Sequence, residues 1–116
     1  MEAGPKPPRA YEAFIERFPK LGQAWDLLTE AGQEGPLDDK AERLVKLAVA
    51  VGAMREGAVR ANVRKAMAAG VTLAEIEQVI ALAAATIGMP SAVAVFTWVQ
   101  AVLAKDAVGP AGGQAP

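Results

Sequence analysis

Apolar residues recur at three- and four-residue intervals along most of the chain, the period of helices that each bury one face, and no useful stretch alternates like a β-strand. From Arg9 to about Arg17, Tyr11, Phe14, Ile15 and Phe18 make one such stripe, and Pro19 ends or kinks it. A second helix to about Ala31 carries Leu21, Trp25 and Leu28 on one side, before a break at Gly32 to Pro36. These two segments hold much of the aromatic bulk and read as packing elements rather than a cofactor box.

Leu37-Asp38-Asp39-Lys40 reads as a helix start, because an aspartate at the cap accepts free backbone N–H groups and complements the helix dipole. That helix runs through Leu44, Val45, Leu47, Ala48 and Val51 into a wholly apolar stretch ending at Met54, a pattern that predicts burial on every side. Glu42 and Arg43 precede the apolar stretch; they read as surface charges, or as residues at the mouth of a cavity.

Between Arg55 and Gly70 polar residues interrupt an apolar helix. Glu56, Arg60 and Arg64 follow at four-residue steps on a solvated face, while Arg55, Ala58, Asn62, Ala66 and Ala69 share another side, with Val59 and Val63 beside them. Gly70 stops the helix. Thr72-Leu73-Ala74-Glu75 is a capping-box pattern ahead of Ile76, Val79, Ile80, Ala83 and Ile87, with Gln78 set among apolar neighbours. Gly88-Met89-Pro90 encodes a stop and a new start, and Val95, Phe96, Trp98, Val99 and Val102 fill a last helix to about Ala104. The pattern predicts an all-α bundle of about six helices over residues 9–105, between a flexible N-terminus at 1–8 and a disordered tail at 106–116.

Composition narrows the chemistry. A 116-residue chain with 53% apolar residues carries more apolar surface than one small helical domain readily hides, so a homo-oligomer is expected. The net charge of −1, with acids and bases interspersed, argues against nucleic acid as a partner. Cysteine and histidine are both absent, which removes thiol redox chemistry and the usual neutral-pH proton carrier; no metal site and no cofactor are expected. Val79 to Ala104 contains no charge, but the Gly88-Met89-Pro90 break divides it into two segments too short to span a bilayer, and no membrane association is expected. The first residues lack the apolar core of a signal peptide, so a cytoplasmic location is expected.

The segments "LDDKAERLVKLAVAVG", "REGAVRANVRKAMAAGVTLAEIEQVIALAA" and "TIGMPSAVAVFTWV" together resemble the carboxymuconolactone decarboxylase family, which shares the alkylhydroperoxidase-D-like helical fold. The earlier "FPKLGQAW" looks like that family's N-terminal helix. The resemblance implies a ring-shaped trimer or hexamer. Peroxidase-type members place Cys-x-x-Cys and then a histidine four residues later on the central helix, where this chain has Arg55, Ala58 and Asn62. Thiol peroxidase activity is thereby excluded. The decarboxylase branch typically keeps a histidine at the position of Asn62, and related sequences often carry another near Gln78.

Two functional readings follow. In one, the chain is a non-catalytic oligomer with a degenerate pocket. In the other, it is a decarboxylase or lyase acting on a small carboxylated lactone or organic acid. There Arg55 would bind the substrate carboxylate, Asn62 and Gln78 would orient it, and Glu42 or Glu56 would handle the proton. For each of these residues an ordinary role in a core, a contact or an ion pair stands as the alternative.

Overall fold

The computed structural model describes the backbone of residues 9–112 and the side chains of residues 9–105. Six helices follow one another: α1 (Arg9–Arg17), α2 (Pro19–Gly32), α3 (Asp39–Gly52), α4 (Glu56–Ala68), α5 (Leu73–Ile87) and α6 (Met89–Gly112), with no strand among the described residues. The expected N-terminal segment 1–8 lies outside the described residues, as does 113–116 of the expected tail. The last helix does not end near Ala104: helical backbone continues to Gly112. Lys105-Asp106-Ala107-Val108 contains no helix breaker, so the sequence offers nothing to stop propagation there.

Local chemistry accounts for the boundaries. Asp38 caps α3 by accepting the Ala41 backbone N–H at 2.8 Å. The capping box of α5 is complete: Thr72 Oγ1 accepts the Glu75 N–H at 3.2 Å, and a Glu75 carboxylate oxygen accepts the Thr72 N–H at 2.8 Å. Lys40 pairs with the same carboxylate, tying the start of α3 to the start of α5. The Glu75 pKa is consequently lowered, first by the Lys40 hydrogen bond and then by the Thr72 N–H. Gly88 separates α5 from α6 at φ +92° and ψ 154°, a conformation essentially reserved for glycine. Among the described residues no helix is long and apolar enough to cross a membrane.

The core lies within α3 to α6. Leu47, Val51, Val59, Val63, Ile76, Val95, Val99 and Val102 are essentially inaccessible, and Val71, Ile80, Ala66, Ala50 and Ala92 complete the cluster. Helix α3 packs on α4 and α5, and α6 packs on α4 and α5. Alanine and valine dominate the contacts, which lets the helix axes approach closely.

The N-terminal helices behave differently from the amphipathic reading. Helix α1 buries no residue, and α1 and α2 pack mainly on each other, with Gly22 against Ile15. A Cβ at Gly22 would lie 3.2 Å from the Ile15 Cβ, so the glycine permits the close approach. The apolar stripes of the two helices therefore remain half open to solvent: Phe14, Phe18, Leu21 and Trp25 are all exposed. Nor is the apolar end of α3 buried on all sides. Leu47 and Val51 are enclosed by α4 and α5, but Val49 points away from that packing and Val45 faces an open cleft toward α2, so both are exposed.

Candidate functional site

The turn into α4 is a strained one. Met54 has φ +54°, in the left-handed region where a residue with a Cβ is disfavoured, and its side chain packs on the core. Arg55 then occupies the N-cap of α4 without a side-chain capping bond, and its side chain is exposed. Glu56 is exposed too and is held by Arg60, whose Nε and Nη2 donate to Oε2 at 2.9 and 2.7 Å. This is the predicted four-residue ion pair on the solvated face.

Asn62 lies about two turns past Arg55 and is partly buried. Its Nδ2 donates to the Ala58 carbonyl at 2.8 Å, while its Oδ1 is buried and accepts no hydrogen bond among the described residues. Ala58 itself packs against the core. Gln78 sits exposed on α5. Thus Asn62 points inward, whereas Arg55, Glu56 and Gln78 are directed to solvent, and the described chain does not gather them in one cavity.

Glu42 has a different setting. It lines a cleft of ≈ 310 Å³ between α2 and α3, together with Leu28, Thr29, Leu37, Arg43 and Lys46. A neighbouring cleft of ≈ 410 Å³ shares Thr29, Arg43 and Lys46 and extends to Trp25, Asp26 and Glu30 on α2 and to Lys65 on α4. The gap exists because α2 packs on α1 and only thinly on the bundle.

Three cations meet here. Arg43 Nη1 is buried and has no hydrogen-bond partner among the described residues. The Lys65 pKa is lowered, first by burial and then by the positive charges of Lys46 and Arg43. The ion pairs found among the described residues, Lys40 with Glu75 and Arg60 with Glu56, leave all three unengaged. Glu42 and Arg43, open in sequence to reading as surface charges or as residues at the mouth of a cavity, both line a cleft, while Lys46 and Lys65 individually carry no distinguishing signal in the sequence. The available signal was the three-residue spacing of Arg43 and Lys46 on one side of a helix whose next turns are apolar; their convergence with Lys65 needs the α3–α4 packing. No group of three or more metal-ligating side chains occurs among the described residues.

A helical bundle built on a capped apolar helix pair, with a polar amide set into the central helix, defines a scaffold that presents side chains from α3 and α4 to a cleft. The sequence profile of the carboxymuconolactone decarboxylase family matches residues 19–101, from the start of α2 into α6. The chain belongs to the carboxymuconolactone decarboxylase family. Searches among curated proteins and among solved structures each returned no significant match.

Proposed function

We propose that this chain is a homo-oligomeric member of its family that binds a small organic acid without turning it over, the pocket on α4 being degenerate. The observation that carries this reading is Asn62. At the position where the resemblance implies a histidine, the amide holds Nδ2 on the Ala58 carbonyl and leaves Oδ1 buried and unpartnered. Nδ2 keeps a second hydrogen to donate to a carboxylate or carbonyl and Oδ1 can accept from a ligand hydroxyl, but the amide exchanges no proton at neutral pH. Glu56 is occupied by Arg60 on the exposed face, which removes one of the carboxylates a proton transfer would draw on.

Assembly is supported by apolar side chains that a single chain leaves uncovered. Leu27, Leu28, Val49, Leu82 and Met89 are each roughly two-thirds exposed, on α2, α3, α5 and the start of α6. Exposed apolar area spread over several helices favours burial between copies, and the family resemblance points to a trimer or hexamer. Light scattering combined with a panel of carboxylated lactones and organic acids tests the proposal. The expected result is an assembly larger than a monomer, with acids that raise the melting temperature and are recovered unchanged; a monomer, or turnover of any of them, overturns it.

One observation favours a lyase as the second reading. Glu42 and Arg43 line the same cleft, which puts a carboxylate able to carry a proton beside a cation able to stabilise developing negative charge. Under that reading a carboxylated lactone or organic acid is decarboxylated, and Glu42→Gln abolishes turnover while leaving binding in place.

A further inference from the structure

We propose that the cleft between α2, α3 and α4 binds a small phosphorylated molecule, with Arg43, Lys46 and Lys65 holding its phosphate group and Trp25 forming the wall beside it. The inference is independent of whether the chain is catalytic.

The buried Nη1 of the partly buried Arg43 is the starting point. A buried donor without an acceptor forfeits its hydrogen bonds to water, so buried polar groups in folded proteins are nearly always paired. Arg43 Nη1 breaks that rule at the edge of a cleft it also lines, where Lys46 and Lys65 stand with it and the carboxylates of Asp26 and Glu30, though on the same cleft, form no ion pair with it. Lys46 follows Arg43 on the same side of α3, and Lys65 reaches the cleft from α4. The Lys65 pKa is lowered first by burial and then by the charges of Lys46 and Arg43, and an anion entering between the three offsets that repulsion. The arrangement is thus costly when empty and favourable when filled.

The remaining lining residues narrow the anion. Three cations around one small volume match a compact dianionic head better than a carboxylate, which brings a single charge. Thr29 adds a hydroxyl donor, and the half-exposed indole of Trp25 offers a flat apolar face. Asp26 and Glu30 stand on the same cleft from α2. Their charges oppose a long polyanion tracking across this surface and leave room only for a small ligand seated among the cations. A phosphate monoester with an aromatic or apolar body engages the three cations, Thr29 and Trp25 at once; inorganic phosphate engages the cations and Thr29 without Trp25.

Isothermal titration of the full chain with inorganic phosphate, phenyl phosphate and benzoate, at one ionic strength set with potassium chloride, tests the proposal. Phosphate is expected to bind at least about tenfold more tightly than benzoate, and phenyl phosphate more tightly again if the body of the ligand stacks on Trp25. Lys65→Gln and Lys46→Gln, at exposed side chains, are each expected to weaken phosphate binding about tenfold or more, the loss of one charge-assisted contact. Arg43→Gln is expected to weaken it further, and Glu30→Gln to strengthen it. Equal affinity for phosphate and benzoate overturns the proposal, as does unchanged phosphate binding in the two lysine variants. Absence of phosphate binding to the wild type also overturns it, and dissociation of an assembly by Arg43→Gln would then assign the Arg43 partner to a second copy of the chain.

Discussion

Replacing Asn62 with alanine removes the most unusual polar group of the central helix, and its effect follows from the geometry. The substitution loses the Nδ2 bond to the Ala58 carbonyl, worth about 0.5–1.5 kcal/mol. Ala58 lies within α4, so its carbonyl is a helix acceptor and is not stranded by the loss. Against that, the buried Oδ1 no longer has to be desolvated without a partner, which returns about 1–3 kcal/mol. Alanine also exceeds asparagine in helix propensity by up to about 0.7 kcal/mol. The balance is a stabilisation of about 1–2 kcal/mol, or a rise in melting temperature of about 4–8 °C for each kcal/mol in a domain of this size. Urea unfolding followed by circular dichroism, at two protein concentrations about tenfold apart, measures it and exposes any contribution from assembly. No change, or a loss of stability, would refute the reasoning, because it would mean that Oδ1 accepts a hydrogen bond in solution. A loss confined to the higher concentration would place the donor on another copy.

Three further outcomes are expected. Leu47→Ala, at a side chain with no exposure, should cost about 2–5 kcal/mol in urea unfolding, and a cost below about 1 kcal/mol would contradict a close-packed core between α3, α4 and α5. Gly88→Ala forces a Cβ into a glycine-only conformation and should destabilise by about 1–3 kcal/mol; a neutral result in the same assay would show that the α5–α6 junction has another shape. Glu75 has a lowered pKa, so its contribution is fully present above its ordinary value of 4.5 and is lost as the pH falls through the lower folded value. Glu75→Gln should therefore flatten the acid limb of the stability curve below about pH 4.5, and an unchanged acid limb would count against the Lys40 and Thr72 contacts.

The helices of the chain were legible because their signals are local. Asp38, the Thr72–Glu75 box, Gly70 and Gly88 satisfy or release backbone groups within a few residues, and each falls where the spacing of apolar residues begins or ends. The Glu56–Arg60 pair is local in the same sense. Family membership was legible too, because the order of those signals extends over most of the chain. The end of α6 was less so, since Lys105 to Val108 carry no breaker and helical backbone runs on through Gly109-Pro110, which as a sequence signal reads as a stop.

What surrounds each helix depends on residues far away in sequence, and only the packed chain decides it. Periodicity identifies a face that wants burial but not whether one chain can bury it. Val45 and Val49 continue the apolar run of α3, yet α4 and α5 cover only the side carrying Leu47 and Val51. The stripes of α1 and α2 likewise stay open because the two helices spend their contacts on each other. Candidate chemistry divides the same way. Arg55 and Gln78 stood out in sequence as polar residues near an apolar face, and the packed helices leave both at the solvent, as they do Glu56 on its solvated face. Arg43, Lys46 and Lys65 looked ordinary, and the approach of α3 to α4 under the edge of α2 makes them a cluster. The sequence by itself determined where the helices start, where all but the last stop, and the family they form; the tertiary structure decided which polar groups meet, because charges act through space and helical periodicity does not record what lies across the gap.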